Sequence, residues 1–127
     1  MQTGLLEHVN FTVSNSEKTA GILCSLFGWK IRWSGPALGG GTTFHVGTDD
    51  SYVALYTPLT TVVSSTPTYG FQGGLNHIGI VVADLDAAEA RVKEAGYKPH
   101  NHSDYEPGKR FYFDDNNGVE FEVVSYA

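Results

Sequence analysis

One alternation of apolar and polar positions occurs twice along the chain. Leu6-Glu7-His8-Val9-Asn10-Phe11-Thr12-Val13 and Leu75-Asn76-His77-Ile78-Gly79-Ile80-Val81-Val82 both fit Leu-x-His-aliphatic-x-apolar-x-Val. Period-two alternation predicts a half-buried strand in each, with a histidine near its start. A helical period follows each strand. Leu23, Leu26 and Phe27 share a helical face that Gly28 stops, and Ser14-Asn15-Ser16-Glu17 fits a capping box with Ser14 as N-cap and Glu17 reaching back. Leu85, Ala88, Val92 and Ala95 repeat the pattern, with Asp84 or Asp86 as cap and Gly96 as stop.

Strand signals complete each half. Lys30 to Trp33 is a short strand, and Thr42 to Val46 and Tyr52 to Tyr56 flank the turn Gly47-Thr48-Asp49-Asp50-Ser51. Tyr97 to His102 is a weaker strand, and Arg110 to Phe113 and Val119 to Val124 flank the turn Asp114-Asp115-Asn116-Asn117-Gly118. The expected fold is therefore α+β within one domain: two tandem βαβββ modules over about 4–57 and 75–126. A duplicated unit of this kind packs with pseudo-two-fold symmetry. Thr57 to Gly74, rich in Thr, Ser, Pro and Gly, reads as a linker; a lid or an element packing on a partner subunit is the alternative.

Alternation also assigns faces. A helix covers one side of each sheet, so Val9, Phe11, Val13, Phe44, Val46, Val53 and Leu55 turn toward it in the first half. Ile78, Ile80, Val82, Phe111, Phe113, Val119, Phe121 and Val123 do so in the second. The opposite faces collect His8, Asn10, Thr12, Thr43, His45, Tyr52, Ala54 and Tyr56, and His77, Gly79, Val81, Arg110, Tyr112, Glu120, Glu122 and Val124. Aromatic, histidine and carboxylate side chains gathered there suggest a concave polar pocket rather than a plain solvated sheet. Two histidines at equivalent positions of a duplicated unit are candidates for one shared metal site.

Composition narrows the partners. The chain has 127 residues, enough for a core, with 41% hydrophobic and 17% charged residues. Its net charge is −6 and it has no Lys/Arg-rich run, which argues against nucleic acid or an anionic membrane as partner. No basic N-terminal region leads into an apolar stretch and no apolar run reaches membrane-spanning length, so a cytoplasmic protein is expected. The single cysteine, Cys24, has no internal disulfide partner and reads as a structural thiol. His100 and His102 lie in a polar, loop-like stretch and are expected to be exposed, and Asp114 to Asn117 lack the spacing of a calcium loop.

These motifs, above all Asn76 to Ala88 and Arg110 to Glu122, resemble the vicinal oxygen chelate superfamily over nearly the whole chain. That superfamily includes glyoxalase I, extradiol ring-cleaving dioxygenases, methylmalonyl-CoA epimerase and bleomycin or fosfomycin resistance proteins. The resemblance implies two modules curving into a sheet cup, helices outside, around one divalent ion. It implies His8, His77 and Glu122 as the metal ligands. The fourth family position falls at or near Tyr56, where glyoxalase I has a glutamate; Tyr56 is then a weak ligand, a donor to substrate or a wall. Two histidines and one carboxylate are the facial triad of non-haem Fe(II) oxygenases. The extradiol enzymes also carry a tyrosine ten residues before the glutamate, as Tyr112 stands to Glu122, and an upstream histidine near the place of His102.

The resemblance thus favours an extradiol-type dioxygenase acting on a catechol-like substrate, with Fe(II) ahead of Ni(II), Zn(II), Mn(II) or Co(II). Tyr112 and His45 would handle protons, and Tyr56, Arg110 and Asn10 would contact substrate, Arg110 through an anionic group. A glyoxalase I- or epimerase-like lyase/isomerase is the alternative enzyme. A drug- or metabolite-binding resistance protein without turnover is the alternative outside catalysis. Family members of this size imply a homodimer.

Overall fold

The computed structural model describes residues 2–63, 68–105 and 108–127. It divides into two compact units, Met1–Val62 and Val63–Ala127. Each unit is a βαβββ module. The first contains β1 (His8–Thr12), α1 (Ser16–Phe27), β2 (Lys30–Pro36), a 3-10 turn (Leu38–Gly40), β3 (Thr42–Gly47) and β4 (Tyr52–Thr57). The second contains β5 (Ile78–Val81), α2 (Leu85–Glu94), β6 (His100–Tyr105), β7 (Gly108–Asp114) and β8 (Glu120–Ser125). Both sheets are mixed. The orders are β1-β4-β3-β2 and β5-β8-β7-β6, with the first strand parallel to the last and the other pairs antiparallel. The parallel pairing sets His8 opposite Tyr52 and Gly79 opposite Glu122, so the start of each first strand lies beside the last strand of its module.

The cores follow the alternation. Phe11, Val13, Val46, Val53 and Leu55 are buried with Ala20, Leu23 and Leu26 of α1. Ile80, Phe111, Phe113, Phe121 and Val123 are buried with Ala88 and Val92 of α2. Phe113 and Phe121 stack with centroids 5.2 Å apart. On the opposite faces Thr43, Ala54 and Val124 are buried as well. Cys24 is half-buried on α1, and burial pushes its thiol pKa up. Among the described residues no helix is long and apolar enough to cross a membrane.

Three local expectations are corrected. The N-cap of α1 is Asn15, whose side chain accepts from Lys18 N at 3.0 Å, not Ser14. The cause is tertiary: Thr57 Oγ1 accepts from the Ser16 backbone N–H at 2.9 Å and donates to Val13 O at 2.9 Å. That link between β1, β4 and the helix start moves the cap one residue along and dissolves the Ser14–Glu17 box. In α2 the cap is Asp84, which accepts from Ala87 N at 3.0 Å. The weaker strand runs His100–Tyr105 rather than Tyr97 to His102. Tyr97 instead closes the C-terminus of α2, its N–H on Val92 O, and lays its ring on Phe113 at 5.6 Å. A bulge follows His100, with Asn101 at φ +53, a conformation asparagine tolerates better than most residues. His100 and His102 therefore lie in a strand and not in a loop. Of the connection from Thr57 to Gly74, residues 64–67 lie outside the described residues. Its end, 68–74, forms turns closed by Phe71 N–Thr68 O and Gly74 N–Phe71 O bonds.

Truncating Phe121 to alanine should cost about 3–5 kcal/mol, because a fully buried ring leaves a cavity. Asn15→Ala should cost about 1 kcal/mol and more than Ser14→Ala. Urea unfolding of the three variants checks both the core and the shifted cap; a larger loss for Ser14→Ala would restore the capping box.

Candidate metal centre

The helix-free face of the second sheet carries a connected set of polar side chains. His77 precedes β5, Glu120 and Glu122 alternate on β8, and Arg110, Tyr112 and Asp114 alternate on β7. Register makes Tyr112 the direct partner of Glu122 and Asp114 the partner of Glu120. His77 Nε2 lies 3.2 Å from Glu122 Oε2. Tyr112 OH donates to the same oxygen at 2.8 Å, and Arg110 pairs with Glu122 Oε1 at 3.2 Å. Both carboxylate oxygens of Glu122 are thus engaged. Arg110 is only 13% exposed along its side chain, so it is not a solvated rim residue.

The other nitrogen of His77 is tied down by a residue the sequence did not single out. Tyr69, from the turn at the end of the connection, sits 3.0 Å from His77 Nδ1 and donates to Glu120 Oε1 at 2.5 Å. With its proton on Glu120, the phenol oxygen accepts from Nδ1–H, which assigns the tautomer and leaves the Nε2 lone pair toward Glu122. The Glu120 carboxylate holds the Tyr69 phenol protonated and pushes its pKa up to about 12. No local signal marked Tyr69. It lies in an irregular segment, and only the turn geometry carries it back to β5 and β8.

The first sheet holds a comparable arrangement around His8. His8 Nδ1 bonds Glu7 Oε1 at 2.9 Å, so here too Nδ1 is occupied and Nε2 is the acceptor nitrogen. This bond holds the Glu7 carboxyl below the ordinary carboxylate range, against the opposing effect of desolvation and with a lesser contribution from Tyr52 OH at 3.3 Å. His8 stacks on Tyr52 at 4.9 Å, Tyr52 on His45 at 4.7 Å, and Trp33 tilts against His45 at 5.2 Å. The Arg32 guanidinium lies 4.4 Å from the Tyr52 ring centre. Burial, then the charges of His8 and Arg32, pull His45 below the usual histidine pKa. Tyr56 donates its hydroxyl to Leu38 O at 2.7 Å. Asn10 lies exposed on β1, two residues from His8 on the same face.

The second unit therefore brings His77, Glu122, Tyr112 and Arg110 together. The first brings together His8 and His45 through Tyr52, with Tyr56 bonded elsewhere. His102 bonds Glu89 of α2 at 3.0 Å, away from the Glu122 set.

Residues 5–123 match the family model described as Glyoxalase/Bleomycin resistance protein/Dioxygenase superfamily. Among solved structures, a glyoxylase/bleomycin resistance protein/dioxygenase domain from Frankia sp. EAN1pec shares the fold at TM-score 0.81 and 19% identity, covering 98% of each chain. The fosfomycin resistance protein FosX from Listeria monocytogenes, complexed with Mn(II) and sulfate, matches at TM-score 0.74 and 19% identity over 98% of this chain and 93% of that one. TnmS3, an antibiotic-binding protein from Streptomyces sp. CB03234, matches at 0.72 and 20% identity over 100% and 99%. No curated protein matches the chain.

The Tyr69 bond sets a pH dependence. Its folded pKa of about 12 lies above the ordinary 10.0, so its stabilisation is complete below about 10 and is lost as pH rises through about 12. Tyrosinate absorbance of the native protein minus that of Tyr69→Phe should isolate this late titration. Glu120→Gln should move it down toward the ordinary tyrosine value; an unmoved titration would mean that Tyr69 and Glu120 are not bonded in solution.

Proposed function

The chain belongs to the glyoxalase/bleomycin resistance protein/dioxygenase superfamily, and from that membership we propose a divalent-metal-dependent enzyme acting on a small substrate with two neighbouring oxygens. One observation carries the proposal. His77 Nε2, a lone pair once Nδ1 is committed to Tyr69, faces the Glu122 carboxylate at 3.2 Å. Two electron-rich groups at that distance repel unless a cation or a proton stands between them. The spacing also suits adjacent ligands of one ion, which lie about 3.0–3.4 Å apart when each is about 2.1 Å from the metal. The donor set therefore fits a divalent cation. The Tyr69–Glu120 contact is the kind of outer support that orients a metal-binding histidine.

His8, the matching histidine of the first module, is the third proposed ligand. Two imidazoles and a carboxylate suit Fe(II) first, with Ni(II), Zn(II), Mn(II) and Co(II) as alternatives. The Mn(II) bound by FosX supports a divalent ion in a protein of this fold. When bound, the ion supplies a Lewis acid and a template for two substrate oxygens.

The surrounding residues favour one reaction class. Proton-shuttling isomerases of the glyoxalase I type use carboxylates as bases. Here both oxygens of Glu122 are already engaged, one by Tyr112 OH at 2.8 Å and the other by Arg110 at 3.2 Å. By the family resemblance the place of the second carboxylate falls at or near Tyr56, whose hydroxyl donates to Leu38 O. Extradiol cleavage of a catechol-like substrate, with dioxygen as co-substrate, is therefore proposed over a lyase/isomerase reaction. Tyr112 and the neutral His45 are the proposed proton-handling groups, and Tyr56, Arg110 and Asn10 the proposed substrate contacts. A homodimer and a cytoplasmic setting belong to the same proposal. Sequestration of an aromatic ligand is the second reading. The stacked rings of His8, Tyr52, His45 and Trp33 favour it, as does the antibiotic-binding TnmS3 on the same fold.

Metal analysis of anaerobically purified protein tests the ligand set. An ion should co-purify with the wild type and be lost from His77→Ala, Glu122→Ala and His8→Ala. Iron together with an oxygen-dependent yellow product from catechols supports ring cleavage. Nickel or zinc with turnover of methylglyoxal and glutathione supports the lyase/isomerase, and ligand binding indifferent to chelator supports sequestration. Protein that takes up no metal on reconstitution overturns both enzyme readings.

A further inference from the structure

A second group of ligand-bearing side chains lies on the second sheet, apart from the His77–Glu122 contact. His100 of β6, Asp114 at the end of β7 and Glu120 at the start of β8 offer ligand atoms all within 4.8 Å of one another. They come from three adjacent strands, so the backbone ladder holds them in register.

Two features mark this group off from an ordinary polar strand end. Asp114 and Glu120 are direct cross-strand partners, and like charges placed opposite each other weaken a ladder unless something positive offsets them. His100 Nε2 is buried and makes no hydrogen bond, although Asp114 Oδ2 is 3.3 Å away. The two atoms are close but not aligned, so a desolvated ring nitrogen is left unsatisfied, which is costly in a native fold. The His100 ring lies nearly parallel to Tyr112, with centroids 6.3 Å apart and planes at 21°. One cation among the three groups would satisfy the nitrogen and offset the paired carboxylates together.

We propose that His100, Asp114 and Glu120 form a second divalent-cation site, separate from the one at His77 and Glu122. One imidazole and two carboxylates suit Zn(II) or a similar borderline ion, with water completing the shell. Asp114 is 58% exposed and can turn to bring its oxygen to ligand spacing. Glu120 then serves both places, because its Oε1 also accepts from Tyr69, which bonds His77. A cation held by Glu120 would compete with Tyr69 for that carboxylate and so alter the support of His77. The proposal does not depend on the function proposed above.

Zn(II) titration of the intact protein by calorimetry tests it. The wild type should show one binding event more than either His100→Ala or Asp114→Asn, and both variants should keep the event that His77→Ala removes. Asp114→Asn is close in shape and half-exposed, so it preserves the fold, and far-UV circular dichroism checks both variants. It also separates a built site from an adventitious surface imidazole, which would bind equally well beside asparagine. Equal stoichiometry in the wild type and Asp114→Asn overturns the second site. If instead the His77 site fails and this one holds, the wild type shows a single event that His77→Ala leaves and Asp114→Asn removes.

Discussion

Each module has one helix to cover a four-stranded sheet, and that constraint orders the rest of the structure. The helix closes only one face, so every strand must send its large apolar residues there. Phe111, Phe113, Phe121 and Val123 are fully buried as a result. The opposite face is left to residues chosen for chemistry. Because alternation is strict, Glu120 and Glu122 on β8 and Arg110, Tyr112 and Asp114 on β7 stand on that face together. The parallel pairing of first and last strands then puts the start of each first strand beside its module's β4 or β8.

That crowding has an electrostatic consequence. Five carboxyl and imidazole groups of the second sheet, His77, His100, Asp114, Glu120 and Glu122, are linked by contacts or register. Arg110 and Tyr112 compensate Glu122, and Tyr69 compensates Glu120. The remaining mismatches are the Nε2 of His77 against Glu122 and the Nε2 of His100 against Asp114. Both are imidazole nitrogens beside a carboxylate, and a cation relieves each. The two proposed sites are the same physical problem posed twice on one sheet face.

The first sheet meets its polar face differently. Its histidines are absorbed into a run of stacked rings, with Arg32 against Tyr52 and Glu7 on His8. Planar faces rather than carboxylates dominate there, in keeping with an aromatic ligand. Because His8 still presents Nε2, it keeps a ligand nitrogen within an aromatic setting.

Period-two and helical patterning made the two βαβββ modules, their helices, their turns and the residues of each core legible in the sequence. The reason is that burial of one sheet face is a local, repeating demand. The repeat also picked out His8 and His77, and the alternation put Glu122 and Tyr112 on one face. Long-range contacts decided the rest. Thr57 moved the cap of α1 from Ser14 to Asn15 by bonding the helix start across the sheet. The closure of α2 on Tyr97 moved β6 to His100–Tyr105 and brought His100 to Asp114. Tyr69 became the support of His77 because a turn folded an irregular segment back over the strands. Periodicity reports which face a side chain takes; which atom it then touches depends on segments far away in the chain, and only the folded chain brings those together.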